Sequence, residues 1–168
     1  MNIVLIGYRG TGKSMVGKLL AARLGMPCIC MDTQIVQRAG MSIPEIVEKY
    51  GWPIFRDMES ELARELAKLD KSIIDTGGGI IERPENIEAL KTNARIFWLK
   101  ASVDTIVLRI QDGVERPALI SGKAFTEEVA EVLERRISKY KSAAQYKIDT
   151  DDLTPKQVAD RIIEILKK

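Results

Sequence analysis

Gly7-Tyr8-Arg9-Gly10-Thr11-Gly12-Lys13-Ser14 fits the pattern G-x-x-x-x-G-K-[ST], and each residue type in it has a physical job. The glycines admit backbone angles that a side chain would forbid and let the chain come close to a phosphate. The loop's N–H groups can then form a nest for anionic oxygens. Lys13 supplies a point charge for outer phosphates, and Ser14 offers a hydroxyl to Mg²⁺. The flanks fit the same reading. Asn2-Ile3-Val4-Leu5-Ile6 is a short apolar run rich in β-branched residues, and the segment 15–24 carries apolar residues at 15, 16, 19, 20 and 24, a helical spacing. The loop therefore joins a buried strand to a helix N-terminus, where the helix dipole also favours an anion.

Outward from this loop, apolar runs alternate with amphipathic stretches. Further strands are expected at 27–31, 71–75, 94–99 and 146–149. Helical patterns run near 33–40, 43–50, 54–69, 84–92, 102–111 and 125–143, and a last helix starts after Thr154-Pro155 and runs to about 167. Strands separated by helices predict a three-layer α/β fold, a five-stranded parallel sheet covered on both faces. Ligands in such sheets bind beyond the carboxyl ends of the strands.

The chain has 168 residues, which fits one domain spanning 1–168. Its 26 basic and 24 acidic residues leave a net charge of +2, giving no case for a nucleic-acid or membrane-surface partner. No apolar run approaches the roughly 20 residues that span a bilayer. The first strand begins at once, leaving no room for a signal peptide, so a cytoplasmic location is expected. Cys28 and Cys30 are the only cysteines and there is no histidine. A disulfide between them is not expected, and two thiols without histidine make a poor zinc site. Acid–base chemistry must come from carboxylates, Lys or Tyr.

Strand ends carry the remaining candidates. Asp32 follows the second strand, where it either caps the next helix or takes a proton from a substrate hydroxyl. Asp75-Thr76-Gly77-Gly78-Gly79 follows the third. Asp75 stands where a P-loop enzyme keeps the acid that steadies Mg²⁺, and three glycines in a row allow close approach to a small ligand. Arg56 and Glu59 are three apart on a helix and can pair, either at a site or as a solvated surface pair. Gln111 to Gly122 is a polar, glycine-bounded loop between two helices, long enough to serve as a lid over about 111–124. Arg116 on it could reach a transferring phosphoryl group on closure. Arg136 lies on the following helix and could be a surface residue.

Together these segments resemble a shikimate kinase along essentially the whole chain: the Gly7–Ser14 loop, Gln37-Arg38-Ala39-Gly40-Met41-Ser42-Ile43, Phe55-Arg56-Asp57-Met58-Glu59, Thr76-Gly77-Gly78-Gly79, Glu115-Arg116-Pro117 and Arg136-Ile137-Ser138-Lys139-Tyr140. The P-loop is shared by many kinases; the Phe-Arg-x-x-Glu, triple-glycine and Arg-Pro elements in this order are far more specific. The resemblance implies a nucleoside-monophosphate-kinase-like fold and transfer of the ATP γ-phosphoryl group to the 3-hydroxyl of shikimate, on the route to chorismate and aromatic amino acids. It implies catalytic roles for Lys13, Asp32 and Arg116. ATP would lie against Gly10, Thr11, Gly12, Lys13, Ser14, Met15, Arg109, Arg116 and Thr150. Shikimate would be held in a region of about 32–60 and beyond it, by Asp32, Arg56, Glu59, Gly77, Gly78, Gly79 and Arg136. Arg56 and Arg136 would clamp its carboxylate, a task suited to bidentate guanidinium contacts. Mg²⁺ would be held by Ser14, with Asp75 acting through water. ATP and shikimate are the expected partners of a monomer.

One departure matters. The resemblance leads one to expect Asp-x-Asp after the second strand, but here Cys30-Met31-Asp32 stands. A thiol is a poor substitute near Mg²⁺, which prefers hard oxygen ligands. Asp75, where many relatives have Ser, could take over. The rivals are a kinase for another small hydroxy acid such as gluconate, a nucleoside monophosphate kinase, and a non-catalytic nucleotide-binding module. A GTPase is disfavoured, since no N-K-x-D accompanies the D-x-x-G at Asp75-Thr76-Gly77-Gly78.

Overall fold

The run Asn2–Ile6 forms β1, buried along its whole length, as a strand covered on both faces must be. Its side chains alternate: Ile3 and Leu5 enter one apolar layer, Val4 and Ile6 the other. In the computed structural model, which describes residues 1–110 and 125–168, β1 is the middle of a five-stranded sheet. The other strands are β2 (Cys28–Cys30), β3 (Ile73–Asp75), β4 (Ala94–Lys100) and β5 (Tyr146–Asp149), in the order β2-β3-β1-β4-β5. Every pairing is parallel.

The helices fall into two layers. α1 (Lys13–Leu24) and α8 (Pro155–Leu166) pack together on the Ile3/Leu5 face, burying Val16, Leu20, Val158 and Ile162. The opposite face is covered by α2 (Met31–Ala39), α3 (Ile43–Tyr50), α4 (Trp52–Leu66), α5 (Pro84–Lys91), α6 (Val103–Ile110) and α7 (Phe125–Ala143), through residues such as Ile35, Ile46, Phe55, Leu90, Ile106 and Val132. The parallel three-layer fold expected from the sequence is the fold observed. Among the described residues no helix is long and apolar enough to cross a membrane.

Element ends differ from expectation where local chemistry overrides periodicity. α4 starts two residues early because Gly51, at φ +85°, ends α3 and Pro53 fits the first turn of the next helix. β2 stops at Cys30, so Asp32 lies inside the first turn of α2 and does not end a strand; Cys30 is the N-cap residue. An acid in a first helical turn faces the positive end of the dipole. Both cysteines are free. At α8 the expected start is reciprocal: the Thr154 hydroxyl accepts from the Gln157 N–H, and the Gln157 side chain accepts from the Thr154 N–H. Thr154→Ala should therefore lower stability by about 1 kcal/mol, read as an earlier urea midpoint with an unchanged slope.

Candidate active site

The carboxyl ends of β1, β2 and β3 open into a cavity of about 600 Å³. Gly7 starts the loop that borders it. Its φ is +146°, and a methyl group there would collide with the Leu99 carbonyl of β4, so only glycine lets the loop leave the sheet here. Gly12, in a left-handed conformation, starts α1. Lys13 is 7% exposed, and its ammonium donates to the Gly7 and Tyr8 carbonyls at 2.8 and 3.0 Å. The charge is thus held inside the curl of its own loop, at the helix N-terminus where anions bind.

Gly10, Thr11, Gly12, Lys13, Ser14 and Met15 all line the cavity, as do Arg109 and Thr150. Arg109 is tied to that wall: its guanidinium donates to the Thr150 hydroxyl and carbonyl, both at 3.2 Å, and to the Gly10 carbonyl at 3.3 Å. These eight predicted residues, on three separate segments, share one space. Arg116 and the lid at about 111–124 lie outside the described residues.

On the other side Asp32, Asp75, Gly77 and Gly78 line the same cavity. Ser14 donates its hydroxyl to Asp75 at 2.6 Å. Asp75 is 3% exposed. Burial pushes its carboxyl above the ordinary range, with Asp32's charge adding; the Lys13 charge and hydrogen bonds from Ser14 and Cys30 pull it back. Cys30 and Asp75 are register partners on adjacent strands. The Cys28 thiol is also pushed up, mainly by burial and then by the Asp75 charge.

The glycine triad connects this cavity to a set of charged groups beyond it. A methyl group on Gly77 would sit 2.8 Å from the Glu59 carboxylate and 3.0 Å from that of Asp32. On Gly78 it would sit 3.5 Å from the Arg136 guanidinium and 3.3 Å from the Arg9 N–H of the P-loop, and on Gly79 it would collide with the Arg56 guanidinium. Gly79 and Gly77 are therefore required by a close approach, while at Gly78 the fit is tight but not a clash. Arg56 and Glu59 pair at 2.5 Å, with Glu59 only 1% exposed, so this is no solvated surface pair. The Arg56 guanidinium also lies over the Trp52 and Phe55 rings, at 5.1 and 5.5 Å. Arg136 is equally far from a surface role. It is 5% exposed, lies over the Tyr8 ring at 5.7 Å and faces Glu82 at 3.5 Å. Two guanidiniums, Arg56 and Arg136, and two carboxylates, Asp32 and the Arg56-paired Glu59, thus border the triad beside the phosphate loop.

Sequence reasoning missed three residues here. Arg9 lines the cavity and lies 5.5 Å over the Phe125 ring; its place within the phosphate loop was the available signal. Tyr140 donates to the Gly78 carbonyl at 2.6 Å, and its spacing of four from Arg136 on α7 was the clue. Val158 completes an apolar wall from α8, which no local pattern announces.

Known proteins are similar to this chain along nearly its whole length. The family model described as shikimate kinase matches residues 9–167. A shikimate kinase of Thermodesulfovibrio yellowstonii is 41% identical over 97% of this chain and 93% of its own length. One of Enterococcus faecalis is 35% identical over 99% of each. Among solved structures, shikimate kinase from Acinetobacter baumannii in complex with shikimate superposes with a TM-score of 0.93, at 31% identity, over 98% of this chain and 92% of that one. With a family model and relatives matching over nearly the whole length, the chain belongs to the shikimate kinase family.

Proposed function

We propose that the chain transfers the γ-phosphoryl group of ATP to the 3-hydroxyl of shikimate, and that the residues around the P-loop cavity carry the roles their positions suit. The observation that carries this reading is the glycine triad, flanked by Asp32, Arg56 and Arg136 and continuous with the phosphate loop. A small acid with hydroxyls needs such a set: guanidiniums for its carboxylate and a carboxylate for its reacting hydroxyl.

In this reading Lys13 leaves the Gly7 and Tyr8 carbonyls and takes the outer phosphates. The Gly10–Met15 segment wraps the phosphates, and Arg109 with Thr150 borders the base. Glu59 orients Arg56, and Arg56 with Arg136 holds the shikimate carboxylate. The 3-hydroxyl oxygen forms a bond to the γ-phosphorus as the bond to the ADP oxygen breaks, and Asp32 accepts the hydroxyl proton. Arg116 closes over the phosphates from the lid at about 111–124. Phosphoryl transfer needs positioning and positive charge more than covalent chemistry, so a chain without histidine is adequate. One domain acting as a monomer in the cytoplasm, with neither nucleic acid nor membrane as partner, belongs to the same reading.

Mg²⁺ fits the oxygens present. Ser14 and Asp75 are hard donors already in hydrogen-bond contact, while among the described residues no three His, Cys, Asp or Glu side chains group to hold a metal alone. This suits an ion that takes most of its ligands from nucleotide phosphates and water, with one hydroxyl and one nearby carboxylate from the protein. Ser14 would hold it and Asp75 would act through water, in place of the Asp expected at position 30. The ion's chemistry there is to neutralise charge on the phosphates. Asp75→Ser should raise the Mg²⁺ concentration needed for half-maximal activity sharply; an unchanged requirement would remove Asp75 from this role. The sign for stability is opposite. An acid whose folded pKa is raised contributes stability at low pH that is lost as pH rises through the folded pKa. Metal-free Asp75→Ser should therefore be more thermostable than the parent near neutrality, and the gap should close on acidification.

The direct test is ADP release from MgATP with shikimate, with gluconate and with neither. Release stimulated by shikimate alone supports the reading. Stimulation by gluconate alone indicates the rival kinase, and ATP binding without stimulation indicates a non-catalytic module.

A further inference from the structure

Tyr140 plays no part in the roles above, yet it touches the centre of the acceptor region. Its ring stacks on Trp98 of β4, with centroids 5.7 Å apart and planes at 23°, and it has no solvent exposure. From that fixed position the hydroxyl donates to the Gly78 carbonyl at 2.6 Å, a buried bond spanning 62 positions of sequence. The Gly78 carbonyl and the Gly79 N–H belong to one planar trans peptide and point in opposite directions. Holding the carbonyl therefore aims the N–H. Glycine imposes no torsional preference of its own on this peptide, so an outside anchor decides its orientation. The same hydroxyl lies beside Arg136, one helical turn earlier on α7.

We propose that Tyr140 is a positioning residue for the acceptor substrate: by fixing the Gly78–Gly79 peptide it sets the loop against which Asp32, Arg56 and Arg136 are arrayed. The proposal rests on the shikimate reading above and adds a residue that touches no substrate. Burial pushes the phenol far above its ordinary range, against the opposing charge and hydrogen bond of Arg136, so the hydroxyl keeps its proton and remains a donor at any working pH. The bond joins α7 to the glycine loop, whose Gly78 also abuts the P-loop at the Gly7 carbonyl and Arg9 N–H. Its loss is felt on the acceptor side, because the nucleotide wall is held separately by Arg109 and Thr150.

Tyr140→Phe removes the hydroxyl and keeps the stacked ring. Shikimate affinity, measured by titration calorimetry with the full chain, should fall on the order of tenfold, the effect of losing one buried hydrogen bond. Affinity for a non-hydrolysable ATP analogue should stay within about twofold on the same scale. In steady-state assays the shikimate KM should rise with the ATP KM unchanged, and the Gly79 amide resonance should shift in NMR spectra. Unchanged shikimate affinity would overturn the proposal. So would an equal loss for both ligands, which marks general loosening. Failure of the unmodified chain to bind shikimate would overturn the underlying reading and the proposal together, and that outcome is distinguishable because it needs no variant.

Discussion

Lys13→Met should lower kcat/KM for ATP by about 10³-fold, the scale for removing a charge that stabilises a transferring phosphoryl group. Methionine keeps the length of the side chain and deletes the ammonium. Two losses then combine. The outer phosphates lose their point charge, and the Gly7 and Tyr8 carbonyls lose the donor that now holds the loop closed at 2.8 and 3.0 Å. The second loss predicts weaker nucleotide binding as well as slower transfer. Single-turnover kinetics at saturating ATP would separate the two. Activity within tenfold of the parent would mean that another cation, with Arg9 the nearest in the loop, supplies the field.

The next largest effect is expected at Asp32. Asp32→Asn preserves shape and hydrogen-bonding reach but cannot accept a proton, so kcat should drop by about 10²–10⁴-fold. The shikimate KM should change much less, because Arg56 and Arg136 still hold the carboxylate. The carboxylate oxygen stands 3.0 Å from where a Gly77 methyl would be, whereas Arg136 is met at Gly78. A variant with unchanged kcat and a raised shikimate KM would reassign Asp32 to holding hydroxyls alone, with the proton leaving to water.

How far the sequence carries depends on whether the determining contact is local. The P-loop, the alternation of Ile3/Leu5 with Val4/Ile6 and the Thr154-Pro155 helix start are set by neighbours within a turn or a strand, and all were legible. The family resemblance supplied Arg56, Glu59 and Arg136, but nothing along the chain showed them to be buried. Glu59, at 1% exposure, reads in sequence as an ordinary helical acid. Its carboxylate lies where a side chain on Gly77 would be, so the missing side chain there leaves room for it. Tyr140 was less legible still. Its partner is a backbone carbonyl 62 positions away, and a carbonyl has no residue identity to match. Asp32 was misplaced by one structural element, because three-residue β2 ends before the apolar run does: α2 begins at Met31, and it is the Met31 side chain that is buried in the adjoining layer.

The parallel register between β2 and β3 sets Cys30 directly beside Asp75, and that adjacency has an evolutionary corollary. Neighbouring strands lie about 4.8 Å apart, so an acidic group can migrate sideways across the ladder while staying in the same neighbourhood. Column-by-column comparison of related chains would score a deletion at one position and an unrelated novelty 45 residues later. In space, an acid at position 75 instead of the one the resemblance leads one to expect at position 30 would leave the local charge count unchanged. Substitutions in parallel α/β enzymes are therefore better paired by ladder than by column, and the exchange of Cys30 and Asp75 for their expected counterparts should be neutral only when both are made together.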